Sequence, residues 1–166
     1  MNLYLDNEWY KDQKIFIHSY ATDKSRCYQL WGSLLTRENI IKSLNLAKNG
    51  FIFFYGPDIG MLEKEFNINI RDNYVCINLL TVFRHQLPKR SCYKLASIER
   101  DFGIIRKVAK YKTSIFTIYS DFHNIEKKHI VLKYNEEDVI NLRILKEKIF
   151  KKYPISNKEL LKLRLN

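Results

Sequence analysis

No apolar run in this 166-residue chain approaches the roughly 20 residues a membrane-spanning helix needs, which excludes a helical membrane protein. The first residues alternate and carry acids, so the basic start and apolar block of a signal peptide are missing too. The three cysteines, Cys27, Cys76 and Cys92, are odd in number and widely spaced. That disfavours a disulfide framework and offers no close pair for zinc. The four histidines, His18, His85, His123 and His129, also lack ligand spacing and read as ordinary core or surface residues. A reducing cytoplasm fits this usage best. There is no repeat, low-complexity stretch or linker, so the length implies one domain.

What is present is enough to fill a core: 46% of residues are hydrophobic and 14% aromatic. The formal charge is +11, and it is unevenly spread. Residues 1–83 hold nine basic and nine acidic residues. Residues 84–112 hold nine basic (Arg84, Lys89, Arg90, Lys94, Arg100, Arg106, Lys107, Lys110, Lys112) against Glu99 and Asp101, net +7. A concentrated basic stretch with Tyr93 and Tyr111 interleaved suits a polyanion such as nucleic acid, although a Lys-rich solvated surface gives the same composition.

Residues 3–9, 14–20 and 26–31 read as three short strands separated by polar turns, hence antiparallel hairpins. Thr36 reads as the N-cap of a helix carrying Ile40, Ile41, Leu44 and Ala47, which Asn49-Gly50 ends. Phe51–Phe54 is a continuous apolar run, as expected of a strand buried on both faces. Gly56-Pro57 breaks it, and a helix starts near Asp58. Residues 74–79 read as a fifth strand. Ser91 is expected to cap a helix carrying Leu95, Ile98 and Phe102, stopped by Gly103. The segment 104–128 holds at most a short helix around 115–119. A long helix follows from about Lys128 to Lys151, stopped by Pro154. The expected architecture is α/β: a mixed five-stranded sheet with three antiparallel N-terminal strands, then parallel ones, flanked by helices. Residues 1–152 form the domain and 153–166 a short basic amphipathic tail.

The acids are the informative residues. Asp6 and Glu8 lie two apart on the first strand, so both project to the face of Tyr4. Two carboxylates side by side repel each other unless a cation sits between them. The bland alternative is an exposed polar strand face. Asp58 falls at the carboxyl end of a sheet strand, where α/β folds bind ligands, although Asp is also common in a first helical turn. Asp138 sits on the apolar stripe of the last helix with Leu142 and Leu145, and Tyr134 lies one turn earlier on the same face. A buried carboxylate needs a cation, a hydrogen-bond donor or a metal.

The order Leu5-Asp6-Asn7-Glu8, Tyr55-Gly56-Pro57-Asp58, Tyr134-Asn135-Glu136-Glu137-Asp138-Val139 resembles that of the DEDD-type 3′–5′ exonucleases. These belong to the ribonuclease H-like superfamily, and the match is to their tyrosine subgroup (DEDDy). The stretch Leu87–Gly103 is similar to the middle of the predicted ribonuclease H-like exonuclease family, where a Leu-rich helix ends in Gly. Two features depart from the pattern. Phe53 and Phe54 stand where a polar residue usually precedes the middle Asp, and Pro57 adjoins Asp58.

The resemblance implies a ribonuclease H-like fold and a two-metal phosphodiesterase. Asp6, Glu8, Asp58 and Asp138 would hold two divalent cations, Mg²⁺ or Mn²⁺, with Asp6 bridging, and Tyr134 would orient the attacking water. The product would be nucleoside 5′-monophosphates from a 3′ end, with DNA favoured and single-stranded 3′ ends preferred. Arg84, Lys89, Arg90 and Lys94 are the candidate phosphate-binding residues. An endonuclease or junction-cleaving enzyme on the same fold, or a non-catalytic nucleic-acid-binding domain, are the alternatives. A protein partner or a homodimer is left open, and no membrane is implied.

Overall fold

The computed structural model describes residues 1–11, 14–108, 111 and 114–165. The expected turn residues Asp12 and Gln13, and the basic residues Lys110 and Lys112, lie outside the described residues. Five strands form one sheet: β1 (Leu3–Tyr10), β2 (Lys14–Thr22), β3 (Tyr28–Trp31), β4 (Phe51–Phe54) and β5 (Val75–Asn78). Their order is β3-β2-β1-β4-β5. The β1–β2 and β2–β3 pairs are antiparallel, and the β1–β4 and β4–β5 pairs are parallel. This is the expected mixed sheet, with β1 at its centre. Glu8 pairs with Ile17 and Trp9 with Ile15, so the extra residue Phe16 makes a bulge in β2 opposite the end of the acidic pair.

The parallel pairs need helical crossovers. Between β1's hairpins and β4 runs α1 (Arg37–Leu44), whose Thr36 cap accepts from the Asn39 amide at 3.2 Å. Between β4 and β5 run α2 (Asp58–Phe66) and the single turn α3 (Ile70–Asn73). These three cover one face of the sheet. Ile40, Leu44, Ile59, Leu62 and Ile70 pack on Leu3, Leu5, Ile52, Phe54 and Cys76. Each such fully buried side chain contributes on the order of 1.5–3 kcal/mol.

The other face carries α4 (Leu79–Gln86), α5 (Leu95–Asp101), α6 (Ile115–His123), α7 (Lys128–Lys152) and α8 (Asn157–Lys162). Val82, Phe83, Ile98, Val139, Leu142, Leu145 and Ile149 pack there on Tyr4, Phe53 and Ile77.

The structure departs from the sequence expectations in several places, and α6, expected around 115–119, runs on to His123. Helix α4 begins at Leu79, directly after β5, because the Asn78 side chain caps it by accepting from the Leu80 amide at 3.0 Å. Ser91 does not cap α5; its N-cap is Lys94, with no side-chain cap bond. The third strand starts at Tyr28 rather than 26. The stretch expected as a C-terminal tail folds back instead: α8 starts with a Ser156–Glu159 capping box, Leu160 is buried in the main core, and the Leu165 amide donates to Cys76 O at 2.8 Å. The apolar residues of that stretch add to the core, so it packs rather than extends.

Candidate metal centre

Along β1, the odd residues Leu3, Leu5 and Asn7 face α1 and α2, and the even residues Tyr4, Asp6 and Glu8 face α7. The 3.6-residue period of α7 puts Val131, Tyr134, Asn135, Asp138, Leu142 and Leu145 on one buried stripe against the sheet. Strand and helix therefore meet with their acids at the same level. One carboxylate oxygen from each of Asp6, Glu8 and Asp138 lies within 4.8 Å of the others. Glu8 and Asp138 are buried, and Asp6 keeps partial exposure.

Asn135, fully buried one turn before Asp138, links the acids to the sheet. Its amide donates to Asp6 Oδ2 at 2.6 Å and reaches Glu8 Oε1 at 3.5 Å. Its carbonyl accepts from Ser19 Oγ and from Gln29 Nε2, and Gln29 also donates to the Leu132 carbonyl at 2.9 Å. The amide orientation follows from these partners.

Arg106 enters from the segment after α5. Its Nε and Nη2 fork onto Glu99, with Nη2 at 2.7 Å from Oε1, and Nη2 lies 2.5 Å from Asp138 Oδ1. The guanidinium carbon sits 5.4 Å from the Tyr134 ring centroid. The Tyr134 ring in turn meets Tyr111 edge-on, with centroids 5.5 Å apart. Glu137, one residue before Asp138, accepts from the Lys107 and Val108 amides at 2.6 and 3.0 Å and ties that segment to α7.

Asp58 stands beside this group rather than within the three-carboxylate convergence. Gly56, at φ +96°, turns the chain out of β4, and Asn78 holds the turn through bonds of 3.2 and 2.9 Å to Gly56 N and O. Asp58 then reaches the edge of β1 beyond the last β4 partner. Its Oδ1 accepts from Asn7 N at 3.1 Å and Asn7 Nδ2 at 3.0 Å. Because Nδ2 serves Asp58, Asn7 Oδ1 must accept, and His18 Nδ1 donates to it at 2.7 Å. His18 Nε2 lies 3.1 Å from Ser43 Oγ. His18 is thus a fully buried, hydrogen-bonded ring, and burial lowers its pKa to about 3, so it is neutral.

The acids repel one another strongly. Asp6 and Glu8 are raised well above the carboxylate range, by burial first and then by the charges of Asp138 and Asp58. Burial pushes Asp58 up to about 7, although Asn7's two bonds oppose this. Burial lifts Asp138 to about 6 against the pull of Arg106 and the Tyr134 hydroxyl. Burial and the surrounding carboxylates hold the Tyr134 phenol above its ordinary range, so it stays protonated.

A divalent cation fits this donor set. Three hard oxygen ligands converge, and only the Asn135 amide and Arg106, itself bonded to Glu99, offset their charge. Asp6, Glu8 and Asp138 could hold an ion directly, and Asp58 stands where its charge is felt at the same point.

The basic residues divide. Arg84, Lys89 and Lys94 are exposed. Arg90 donates to Cys92 O, Ser97 Oγ and Asp101, so its guanidinium closes the loop before α5. The Tyr55 hydroxyl donates to Tyr93 O and fixes that loop to the strand end leading to Asp58.

Sequence reasoning did not single out Asn135, Arg106, Glu99, Asn7 or His18 for the site. Asn135 had a signal, being a polar residue on an apolar helical stripe, as Asp138 is. Arg106 had none, because its pairing with Glu99 crosses irregular chain and its contact with Asp138 joins distant segments.

A family model of the RNase H superfamily matches residues 3–150, and the chain belongs to that superfamily. No curated protein matches the chain. Membership supports a nuclease in general, with nucleic acid as the substrate class and divalent cations as the usual cofactors. Among the described residues no helix is long and apolar enough to cross a membrane.

Proposed function

We propose that this chain is a metal-dependent 3′–5′ exonuclease of the DEDDy type, with its catalytic residues within 1–152. The observation that carries the reading is the convergence of Asp6, Glu8 and Asp138 beside a buried, protonated Tyr134. Mg²⁺ or Mn²⁺ bound there would supply hydroxide at neutral pH and offset charge on the attacking and leaving oxygens of a phosphodiester. Asp6, Glu8 and Asp138 would hold the ions, and Asp58 would complete the second position.

The chain's own groups do the rest. The neutral Tyr134 hydroxyl holds a water in line with the scissile phosphorus. Asn135 keeps Asp6 and Glu8 turned toward Asp138. Arg84, Lys89 and Lys94 grip the strand through its phosphates, while Arg90 maintains the loop that carries Lys89 and Lys94. Phe116 is 63% exposed and meets Tyr10, two residues past Glu8 on β1, with ring centroids 6.1 Å apart. This pair offers a stacking surface for the bases at a 3′ end. DNA is the favoured substrate and nucleoside 5′-monophosphates the product. The cysteines are free among the described residues, which fits a cytoplasmic enzyme.

The test is a 5′-labelled single-stranded oligonucleotide incubated with Mn²⁺. Stepwise shortening from the 3′ end, abolished by a 3′ block, is expected. Cleavage that persists with the end blocked would replace this reading with an endonuclease.

A further inference from the structure

Arg106 is the least expected residue near the acids. Its side chain is 4% exposed, and Glu99 opposite it is 1% exposed. A guanidinium is kept in such a place only where acceptors compensate it. One edge of the group is fully used: Nε and Nη2 fork onto both oxygens of Glu99. Asn141 Nδ2 donates to Glu99 Oε1 at 3.0 Å and holds that carboxylate in turn. The planar group's other edge, formed by Nη1 and Nη2, is turned to Asp138. There Nη2 lies 2.5 Å from Oδ1, and the buried Nη1 finds no hydrogen-bond partner among the described residues.

Two facts decide what such a cation does. Glu99 neutralises it, so the Glu99–Arg106 arm adds no net charge to oppose a metal. The fork and the Tyr134 ring clamp it, so it cannot swing aside as a placeholder would. Asp138, by contrast, sits on a soft side-chain torsion and is pushed by Asp6 and Glu8. We infer that Arg106 is a positioning residue: clamped by Glu99, it fixes the Asp138 carboxylate in the orientation that ligates a divalent cation. The inference rests on the metal reading proposed above. Partners that orient a ligand in this way typically change metal affinity by about 10- to 100-fold when removed.

The experiment is calorimetric titration of the full chain with Mn²⁺, alongside metal-free thermal melting, for wild type, Arg106→Gln, Arg106→Lys and Glu99→Gln. Arg106→Gln is expected to weaken Mn²⁺ binding about 10- to 100-fold. Arg106→Lys, which keeps the charge but not the fork, should recover part of it. Glu99→Gln, which loosens the clamp, should weaken binding about 10-fold. A folded Arg106→Gln protein with unchanged or tighter binding overturns the inference, and tighter binding would make Arg106 a competitor of the metal. Should Arg106→Gln fail to melt cooperatively, Glu99→Gln decides, and unchanged affinity there overturns the inference. A wild type that binds no Mn²⁺ removes the metal reading itself. A wild type that binds as its variants do removes only the role of Arg106.

Discussion

The two faces of β1 carry polar groups at the same level and treat them in opposite ways. On the odd face, Asn7 is bonded to Asp58 and His18, and His18 reaches Ser43. On the even face, Asp6 and Glu8 confront Asp138 with only Asn135 and the Glu99-bound Arg106 to offset them. The first network is satisfied and neutral at its centre. The second is buried and over-charged. A buried charge without compensation costs several kcal/mol, so such carboxylates either take up protons or are offset by another ion. The contrast separates a polar cluster that holds the strand from one that could hold a cation.

The largest expected effect breaks the charged face. Asp6→Asn should reduce Mn²⁺-dependent cleavage by about 10³-fold or more, of order 4 kcal/mol in the barrier, with oligonucleotide binding retained. The same substitution should raise the metal-free melting temperature, because it removes one of the mutually repelling carboxylates. Equal activity in Asp6→Asn and wild type would undo the site assignment.

The satisfied face should respond the other way. His18→Leu leaves Asn7 Oδ1 without its buried donor, which typically costs about 1–3 kcal/mol. The expected result is a lower denaturation midpoint with or without Mn²⁺. A midpoint unchanged from wild type would show that this network is not what holds Asp58 and β1 together.

Proton linkage sharpens the comparison further. Asp58 and Asp138 have folded values of about 7 and 6, above their ordinary ones, and Asp6 and Glu8 are raised as well. The folded state therefore binds more protons than the unfolded one, and the metal-free protein loses stability as pH rises from about 4 toward 7. His18, lowered to about 3, acts oppositely, because its unfolded form gains a proton below about 6.5. One ring opposes four carboxylates, so the net trend is a falling melting temperature between pH 5 and 7. Saturating Mn²⁺ should flatten that trend, since a bound cation removes the penalty of the charged acids. Melts that rise with pH in chelator would contradict the charged-face description.

The smallest effect concerns the surface. Lys89→Gln and Lys94→Gln should each weaken DNA binding uniformly across sequences and reduce the salt slope by about one unit. Arg90→Gln should act instead through loop stability, seen as a lower melting temperature.

Local pattern carried much of this fold. The alternation in β1 put Asp6 and Glu8 on one face, the apolar run Phe51–Phe54 marked a strand buried on both faces, and the period of α7 set Tyr134 and Asp138 on one stripe. These signals repeat every two or every 3.6 residues, so neighbours in sequence reveal them. Helix α4 was not legible, because β5 passes into it at Asn78 with no breaker between them. The amphipathic pattern of 153–166 was legible, but its packing as α8 was not, because a local pattern does not say which surface it covers. Asn135 was half legible, and Arg106 not at all.

The sequence by itself determined which acids could share a face, because that depends on strand and helix periods alone. Only the tertiary structure decided that three of them converge, that Asp58 stands beside them on Asn7, and that Arg106, clamped by Glu99, meets Asp138. Those are contacts between segments from about 30 to more than 100 residues apart, made by the strand order that sets β1 under α7. Periodicity is written locally, whereas the compensation of buried charge depends on every group that folding brings within a few ångströms.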